Sequence, residues 1–160
     1  CMTSFFVNKE GKMESRILPH FEGEPTLNTN IDTEVFLLKL TPGIDPAIFD
    51  LLIQAKYKGV LIEAFGAGGL HYVNRDLYSK LEALRKADIP VVVASQCLYE
   101  KSDLSKYEVG KLALEKGVIS ALDMTSEAAM TKLMWAIGQA LEQAEIADLF
   151  ARNLAGEVTA

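Results

Sequence analysis

The stretch Gly59-Val60-Leu61-Ile62-Glu63-Ala64, followed by Phe65-Gly66-Ala67-Gly68-Gly69, decides the fold class. Its first six residues are apolar except for Glu63 and show little alternation, which predicts a strand that is covered on both faces. The glycines after this strand predict a tight turn, because they permit positive φ and close approach of the backbone. Strands covered on both faces are typical of a parallel sheet between helices, so the stretch predicts an α/β domain.

The same order of strand, turn and helix repeats on both sides of this stretch. Predicted strands cover residues 35–40, 59–64, 90–94 and 118–119, and predicted helices cover 46–55, 76–86 and 107–116. Thr125 is expected to cap a long helix that continues through Phe150. Residues 35–160 are therefore predicted to form a three-layer domain, a small parallel sheet of about four strands flanked by helices. The stripe expected to be buried on the long helix consists of Met130, Leu133, Met134, Ile137, Leu141 and Ala144.

Residues 1–34 differ in character from the rest of the chain. Repeated breaks at glycine and proline predict an interdomain connector that carries a hairpin. The chain starts on Cys1 rather than on Met, so we expect it to be a piece of a longer protein. At the other end, residues 156–160 are expected to be frayed.

Composition excludes several classes of partner. The chain has 160 residues and a net charge of −6, and its basic residues are dispersed among carboxylates, so we expect no nucleic-acid partner. No apolar run approaches the roughly 20 residues needed to cross a bilayer, so we expect no membrane partner. Cys1 and Cys97 form neither a disulfide framework nor a metal-ligand cluster. This favours a reducing, cytoplasmic compartment and no metal site.

Three predicted loops, residues 41–45, 65–74 and 95–106, share one edge of the sheet, where ligands of open parallel sheets gather. The glycines at 66–69 match a dinucleotide-binding loop only weakly, because the third glycine is not at the fingerprint spacing. Cys97 has no histidine close to it in sequence, so a structural or ligand-lining thiol is favoured over a nucleophile.

Further sequence blocks follow the glycine loop in a fixed order. They are Ser95-Gln96-Cys97, Tyr107-Glu108-Val109-Gly110, Gly117-Val118-Ile119 and the run from Asp123 to Leu133. Together these blocks resemble the C-terminal domain of the cytoplasmic (type I) L-asparaginases, over residues from about 35 to about 139. The resemblance implies a Rossmann-like domain of an amidohydrolase that converts L-asparagine to L-aspartate and ammonia without a cofactor. It also implies an N-terminal domain as partner and a homodimer or homotetramer.

The resemblance assigns a role to the loop that contains Gly66, Gly68 and Gly69. In asparaginases the corresponding loop reaches the active site of a neighbouring subunit, and an asparagine in many members contacts the substrate. Gly69 stands at the aligned position, so the contact is expected from the backbone or from the nearby Asn74 or His71. A tight turn with glycines for shape alone is the other interpretation. A family tyrosine aligned with Tyr107 lies near the subunit interface, so Tyr107 is expected either to neighbour the site or simply to pack in the core.

A second pocket is implied near the Ser-Gln-Cys segment, where some cytoplasmic members bind asparagine as an activator. The residues at this expected effector pocket are Glu63, Ser95, Gln96 and Cys97. Those members use an arginine where we align Glu63, and a carboxylate there repels the carboxylate of the effector. We therefore expect that activation in that form is not retained.

The family's nucleophilic threonines lie in glycine- and threonine-rich motifs of the N-terminal domain, and these motifs have no counterpart here. We expect no catalytic residue in these 160 residues and no activity of the chain by itself. Two alternatives stay open. One is the C-terminal domain of the asparaginase-like subunit of the archaeal glutamyl-tRNA(Gln) amidotransferase, and the other is a non-catalytic amino-acid-sensing domain.

Overall fold

The structure, a computed structural model, describes residues 5–7, 13–15, 24, 27–66, 69–70, 77–97, 102–104 and 108–158, with the backbone alone for 5–7, 13–15 and 108–109. Its strands are β1 (Phe5–Val7), β2 (Met13–Ser15), β3 (Val35–Lys39), β4 (Gly59–Ala64), β5 (Val91–Ser95) and β6 (Ile119–Ser120). Its helices are α1 (Ala47–Gln54), α2 (Leu77–Lys86), α3 (Glu108–Glu115), α4 (Ser126–Gly138) and α5 (Gln143–Phe150).

The strands from β3 to β6 form a four-stranded parallel sheet in the order in which they occur along the chain. The registers place Val35 opposite Gly59 and Val92 opposite Ile119. This sheet confirms the predicted α/β fold. β1 and β2 pair with each other in antiparallel orientation, whereas the interdomain role of residues 1–34 stays a prediction.

Helices cover both faces of the parallel sheet, which gives the domain its three layers. Val60, Ile62 and Val93 pack on one face against α1, α2 and α3. Leu61 and Val92 pack on the other face against α4 and α5. Both faces of β4 and β5 are therefore largely buried, as their mostly apolar sequences predict.

The strand order has a consequence for ligand binding. Right-handed crossovers in one direction keep α1, α2 and α3 on the same face, and α4 crosses the other face only after the last strand. Ligand crevices of open α/β sheets form where the strand order reverses. Within the described sheet the order never reverses, so its carboxyl edge lacks the crevice that a reversal provides.

Four helices end in the same way, with a residue in the left-handed conformation. These residues are Lys56 after α1, Asp88 after α2, Gly117 after α3 and Ala140 after α4, with φ from 55° to 82°. Each is followed by an amide that reaches back five residues, such as Ile89 to the carbonyl of Leu84 at 3.0 Å. This pattern is the Schellman motif, in which glycine is the usual left-handed residue.

The predicted long C-terminal helix is two helices, because Ala140 breaks it. Thr125 caps α4 as predicted, with its hydroxyl accepting a bond from the amide of Ala128 at 3.3 Å. Leu133 is buried as predicted, but Ala144 is exposed and the expected stripe omits the buried Lys132. The face of α4 packs closely on Gly59, since a Cβ there would lie 2.6 Å from Cδ1 of Ile137, whose side chain would have to shift.

The segment after α5 is ordered by hydrogen bonds, so the prediction of fraying was wrong for residues 156–158. Val158 is buried, and the carboxylate of Glu157 accepts bonds from the amides of Leu154 and Ala155. Lys132 donates to Glu157 at 2.5 Å and to the carbonyl of Arg152 at 2.6 Å. A buried cation of α4 therefore fixes the C-terminal segment.

Residues 27–34 lie against the C-terminal end of α4, and we call them the strap. The amide of Asp32 donates to the carbonyl of Met134 at 3.0 Å, and the side chain of Gln139 donates to the carbonyl of Asn30 at 2.7 Å. A Cβ on Gly138 would lie 2.5 Å from that carbonyl oxygen, so this close approach requires glycine.

None of the helices that the structure describes has the length and apolar character to span a bilayer.

Candidate functional site

The glycine turn after β4 begins the candidate site at the carboxyl edge of the sheet, and the structure describes its residues Phe65, Gly66 and Gly69. Phe65 and Gly69 are paired by two main-chain hydrogen bonds, with the amide of Phe65 donating at 3.1 Å and that of Gly69 at 2.6 Å. Gly66 has a φ of 49°, which favours glycine. A Cβ on Gly69 would lie 3.1 Å from the carbonyl oxygen of Phe65, so a side chain there would crowd the turn.

Ser95, the last residue of β5, joins this turn to the following loop. Its hydroxyl donates to the carbonyl of Gly66 at 2.6 Å and accepts a bond from the amide of Cys97 at 2.9 Å. The register places Ser95 beside Ala64, which brings its side chain within reach of the turn. The two predicted loops therefore touch through one serine.

Gln96 makes a wider connection across the same edge. Its side-chain nitrogen donates to the carbonyl of Leu40 at 2.7 Å and to that of Glu63 at 2.9 Å. Its amide donates to the carbonyl of Ala64 at 2.9 Å. This side chain from the end of β5 therefore holds the ends of β3 and β4.

Glu63 lies on the face of the sheet that α4 and α5 cover, beside Lys39 in the register of β3 and β4. The ammonium of Lys39 lies 3.6 Å from Oε2 of Glu63, whose side chain is 16% exposed. A cation of this chain therefore already faces the carboxylate. The thiol of Cys97 is free and exposed.

Ser102 is a buried polar residue of this edge that the sequence did not single out. Its hydroxyl donates to the carbonyl of Val93 at 2.9 Å, and its amide pairs with the carbonyl of Leu122 at 2.7 Å. Ser120 donates to the carbonyl of Ser102 at 2.5 Å. A serine inside a polar stretch gives no sign of burial, so no local signal could have identified it.

The structure thus brings together Glu63, Gly66, Gly69, Ser95, Gln96 and Cys97 at one edge. Gly68, Asn74 and Tyr107, with His71, lie outside the described residues. Within the part of the chain that the structure describes, no three histidine, cysteine or acidic side chains gather to hold a metal ion.

A cavity of about 420 Å³ lies at the opposite edge of the sheet, before the strands begin. Tyr57, Pro90, Leu141 and Glu142 are among its lining residues, and none of the predicted site residues is. It is bordered by the segments that follow α1, α2 and α4. The cavity is therefore separate from the candidate site.

The fold and the carboxyl edge of the sheet together define a three-layer, Rossmann-like α/β domain. Its glycine turn is held at the carboxyl ends of its strands. The chain belongs to the glutaminase/asparaginase C-terminal domain family, whose model matches residues 34–150.

The proteins to which this chain is similar are consistent with this family. An L-asparaginase of Thermococcus kodakarensis is 43% identical over 137 residues, which are 86% of this chain and 41% of that protein. A glutamyl-tRNA(Gln) amidotransferase subunit of Methanosphaera stadtmanae is 39% identical, over 86% of this chain and 31% of that protein. The structure of the thermostable L-asparaginase from Thermococcus kodakarensis matches with a TM-score of 0.84 and 39% identity, covering 98% of this chain and 47% of that one. The chain spans less than half the length of these relatives.

Proposed function

We propose that the chain is the C-terminal domain of an L-asparaginase, which hydrolyses L-asparagine to L-aspartate and ammonia together with its own N-terminal domain. The observation that carries this proposal is the match of almost the whole chain to an L-asparaginase, at a TM-score of 0.84. The sheet geometry supports a partner domain. Because the strand order does not reverse within the described sheet, another surface would have to enclose a ligand at the carboxyl edge.

In the proposed whole protein, a threonine of the N-terminal domain is the nucleophile. Its oxygen forms a bond to the side-chain amide carbon of asparagine, and backbone amides stabilise the oxyanion. The carbon–nitrogen bond then breaks and ammonia leaves, after which water hydrolyses the acyl-enzyme to release aspartate. We assign no catalytic role to any residue of this chain.

The role proposed for this domain is to complete the active site of a neighbouring subunit in a homodimer or homotetramer. The turn that contains Gly66, Gly68 and Gly69 would reach that site. Gly69 has no side chain, so the substrate contact falls to the backbone or to Asn74 or His71. Tyr107 would lie near the subunit interface.

The expected effector pocket at Glu63 and Cys97 would respond poorly to asparagine. An effector carboxylate would meet the carboxylate of Glu63 where an arginine would otherwise form a charge-assisted hydrogen bond. Lys39 faces Glu63 at 3.6 Å, but it is largely exposed and its charge is therefore screened. We expect hyperbolic kinetics against asparagine.

Ammonia release from asparagine tests the proposal on two samples, the 160-residue chain and the whole protein. We expect turnover by the whole protein and none by the chain, even at high enzyme concentration. Turnover by the chain that survives repurification would contradict the assignment of the nucleophile to the N-terminal domain. Sigmoidal kinetics abolished by Cys97→Ala in the whole protein would contradict the loss of activation.

The second candidate is the corresponding domain of a glutamyl-tRNA(Gln) amidotransferase, which the 39% identity to a component of that enzyme in Methanosphaera stadtmanae supports. The two functions differ in what the whole protein needs. An asparaginase releases ammonia from asparagine alone, whereas the amidotransferase would amidate glutamyl-tRNA(Gln) only with its partner subunit. Asparagine binding without ammonia release under either condition would favour an amino-acid-sensing domain.

A further inference from the structure

We propose that Ser95 is a positioning residue that fixes the glycine turn, at its described residues Phe65, Gly66 and Gly69, relative to Cys97 after β5. This role rests on the proposed function for its effect on hydrolysis. The positioning itself rests on the two hydrogen bonds of one hydroxyl group, from Ser95 to Gly66 and from Cys97 to Ser95.

The direction of both bonds is fixed by chemistry. The carbonyl of Gly66 can only accept and the amide of Cys97 can only donate, so the single proton of the Ser95 hydroxyl lies toward Gly66. With that donor used, the hydroxyl has only acceptor capacity left for a ligand. Ser95 is therefore better suited to holding main chain than to donating a bond to an asparagine carboxylate.

The two ends of the turn are anchored by apolar packing, because Phe65 packs against the core and Leu70 is buried in it, and the bond from Ser95 adds a directional contact at Gly66. The turn's own closure is the pair of bonds between Phe65 and Gly69, which fixes the shape of the turn but not its direction relative to the sheet. Gly66, at the start of the turn, has the widest choice of backbone angles. The bond from Ser95 reaches the carbonyl of that residue and removes this freedom.

Gln96 supports the same interpretation of the segment. Its side-chain nitrogen has two hydrogens, and the carbonyls of Leu40 and Glu63 take both. Ser95 and Gln96 thus place their donors on main chain. At the expected effector pocket, the carboxylate of Glu63 and the exposed thiol of Cys97 are then the remaining side-chain groups.

Hydrogen exchange on the 160-residue chain tests the positioning without any activity. Ser95→Ala should speed exchange of the Gly69 amide about ten-fold, because the turn that holds this amide loses a part-buried hydrogen bond from Ser95. Ser102→Ala is the matched control, because it also removes a bond from serine to a carbonyl at this edge but does not touch the turn. Ser102→Ala should leave the exchange rate of the Gly69 amide unchanged. Ser95→Thr should restore the wild-type rate. An unchanged Gly69 rate in Ser95→Ala would overturn the positioning.

Steady-state kinetics on the whole protein test the consequence for hydrolysis. We expect kcat/KM for asparagine to fall about ten-fold in Ser95→Ala, because small misplacements near a reacting centre lower rates steeply. Ser95→Thr should recover most of this loss. Ser102→Ala should have the wild-type kcat/KM at temperatures below the melting temperature of that variant. An unchanged kcat/KM in Ser95→Ala would overturn the effect on the reaction. If the wild-type whole protein released no ammonia, the proposed function would fail, and the exchange rates would still decide the positioning.

Discussion

The side-chain nitrogen of Gln96 lies 2.7 Å from the main-chain oxygen of Leu40, although β4 separates the strands that these two residues follow. The same nitrogen donates to Glu63 in β4, so one side chain crosses two strand boundaries. The side chain of Gln96 thereby extends the hydrogen bonding of the sheet to Leu40, one residue beyond the end of β3. The carboxyl edge that carries the candidate site is stiffened by this contact.

Replacing Gln96 by methionine should lower the free energy of unfolding by about 1–3 kcal/mol, because the carbonyl of Leu40 loses its side-chain donor in a partly buried place. Urea unfolding measures the change. The control is Gln143→Met, which removes a glutamine whose exposed hydrogen bond to Asp88 is 3.0 Å long. We expect the control to change stability by less than about 0.5 kcal/mol. Equal losses in both variants would show that Gln96 has no special role.

The carboxylate of Glu157 should make stability depend on pH. Burial by itself raises the pKa of Glu157, but hydrogen bonds from Lys132 and from the amides of Ala155 and Leu154 outweigh it and lower the pKa to about 2. A group whose pKa is lowered by folding stabilises the protein above its unfolded value and loses that contribution as the pH falls. The contribution should therefore be present at pH 7 and disappear between about pH 5 and pH 2.

Glu157→Gln isolates this contribution, because the amide keeps an acceptor for Lys132 without the charge. We expect wild type to exceed the variant by about 1–2 kcal/mol at pH 7, after allowance for partial exposure, and the two to converge near pH 2. The difference between the two proteins is the quantity to measure. Other carboxylates titrate in the same range, such as Glu82, whose pKa Lys116 and Lys86 lower to about 2. A difference independent of pH would refute the assignment.

Ala140→Gly should stabilise the chain by about 0.5–1 kcal/mol, because alanine is strained in the left-handed conformation that glycine adopts freely. Thermal unfolding of the variant should show a higher midpoint. Ala147→Gly serves as the control inside α5, where the loss of helix propensity should destabilise by about 1 kcal/mol. Destabilisation by both variants would mean that relief of strain at residue 140 is not the dominant effect.

Gly138→Ala should displace the strap from α4, since the added methyl group would lie 2.5 Å from the carbonyl oxygen of Asn30. We expect a loss of about 1–3 kcal/mol in urea unfolding, the range for overpacking at a close contact. Faster hydrogen exchange at the amide of Asp32 should accompany it, because that amide donates to Met134. If the Asp32 amide exchanged at the wild-type rate, the strap would not depend on this contact.

The sequence predicted those elements whose cause is local. The mostly apolar sequences of β4 and β5 predict burial on both faces. Thr125 caps α4 at the position that the capping preference predicts. The turn at Gly66 was likewise visible. In each case the deciding residues lie within one strand or one helical turn of each other.

The features that sequence reasoning missed depend on partners far along the chain. Lys132 is buried because Glu157 and the carbonyl of Arg152 meet its charge, and neither partner is identifiable from the sequence around α4. Ala140 ends α4 without the glycine that usually signals such an end. Ser102 is buried through bonds to two other segments. The edge position of the site was therefore predictable, whereas these long-range contacts were not.

The order of the strands also bears on how the chain matures during synthesis. Each strand of the parallel sheet can join its predecessor as soon as it leaves the ribosome, because neighbours in the sheet are neighbours in the chain. The helices that cover Leu61 and Val92 follow all four strands in the chain. Until Phe150 has emerged, the sheet therefore presents one apolar face to its surroundings. We therefore expect chaperones to bind this apolar face in a nascent chain that pauses before Thr125.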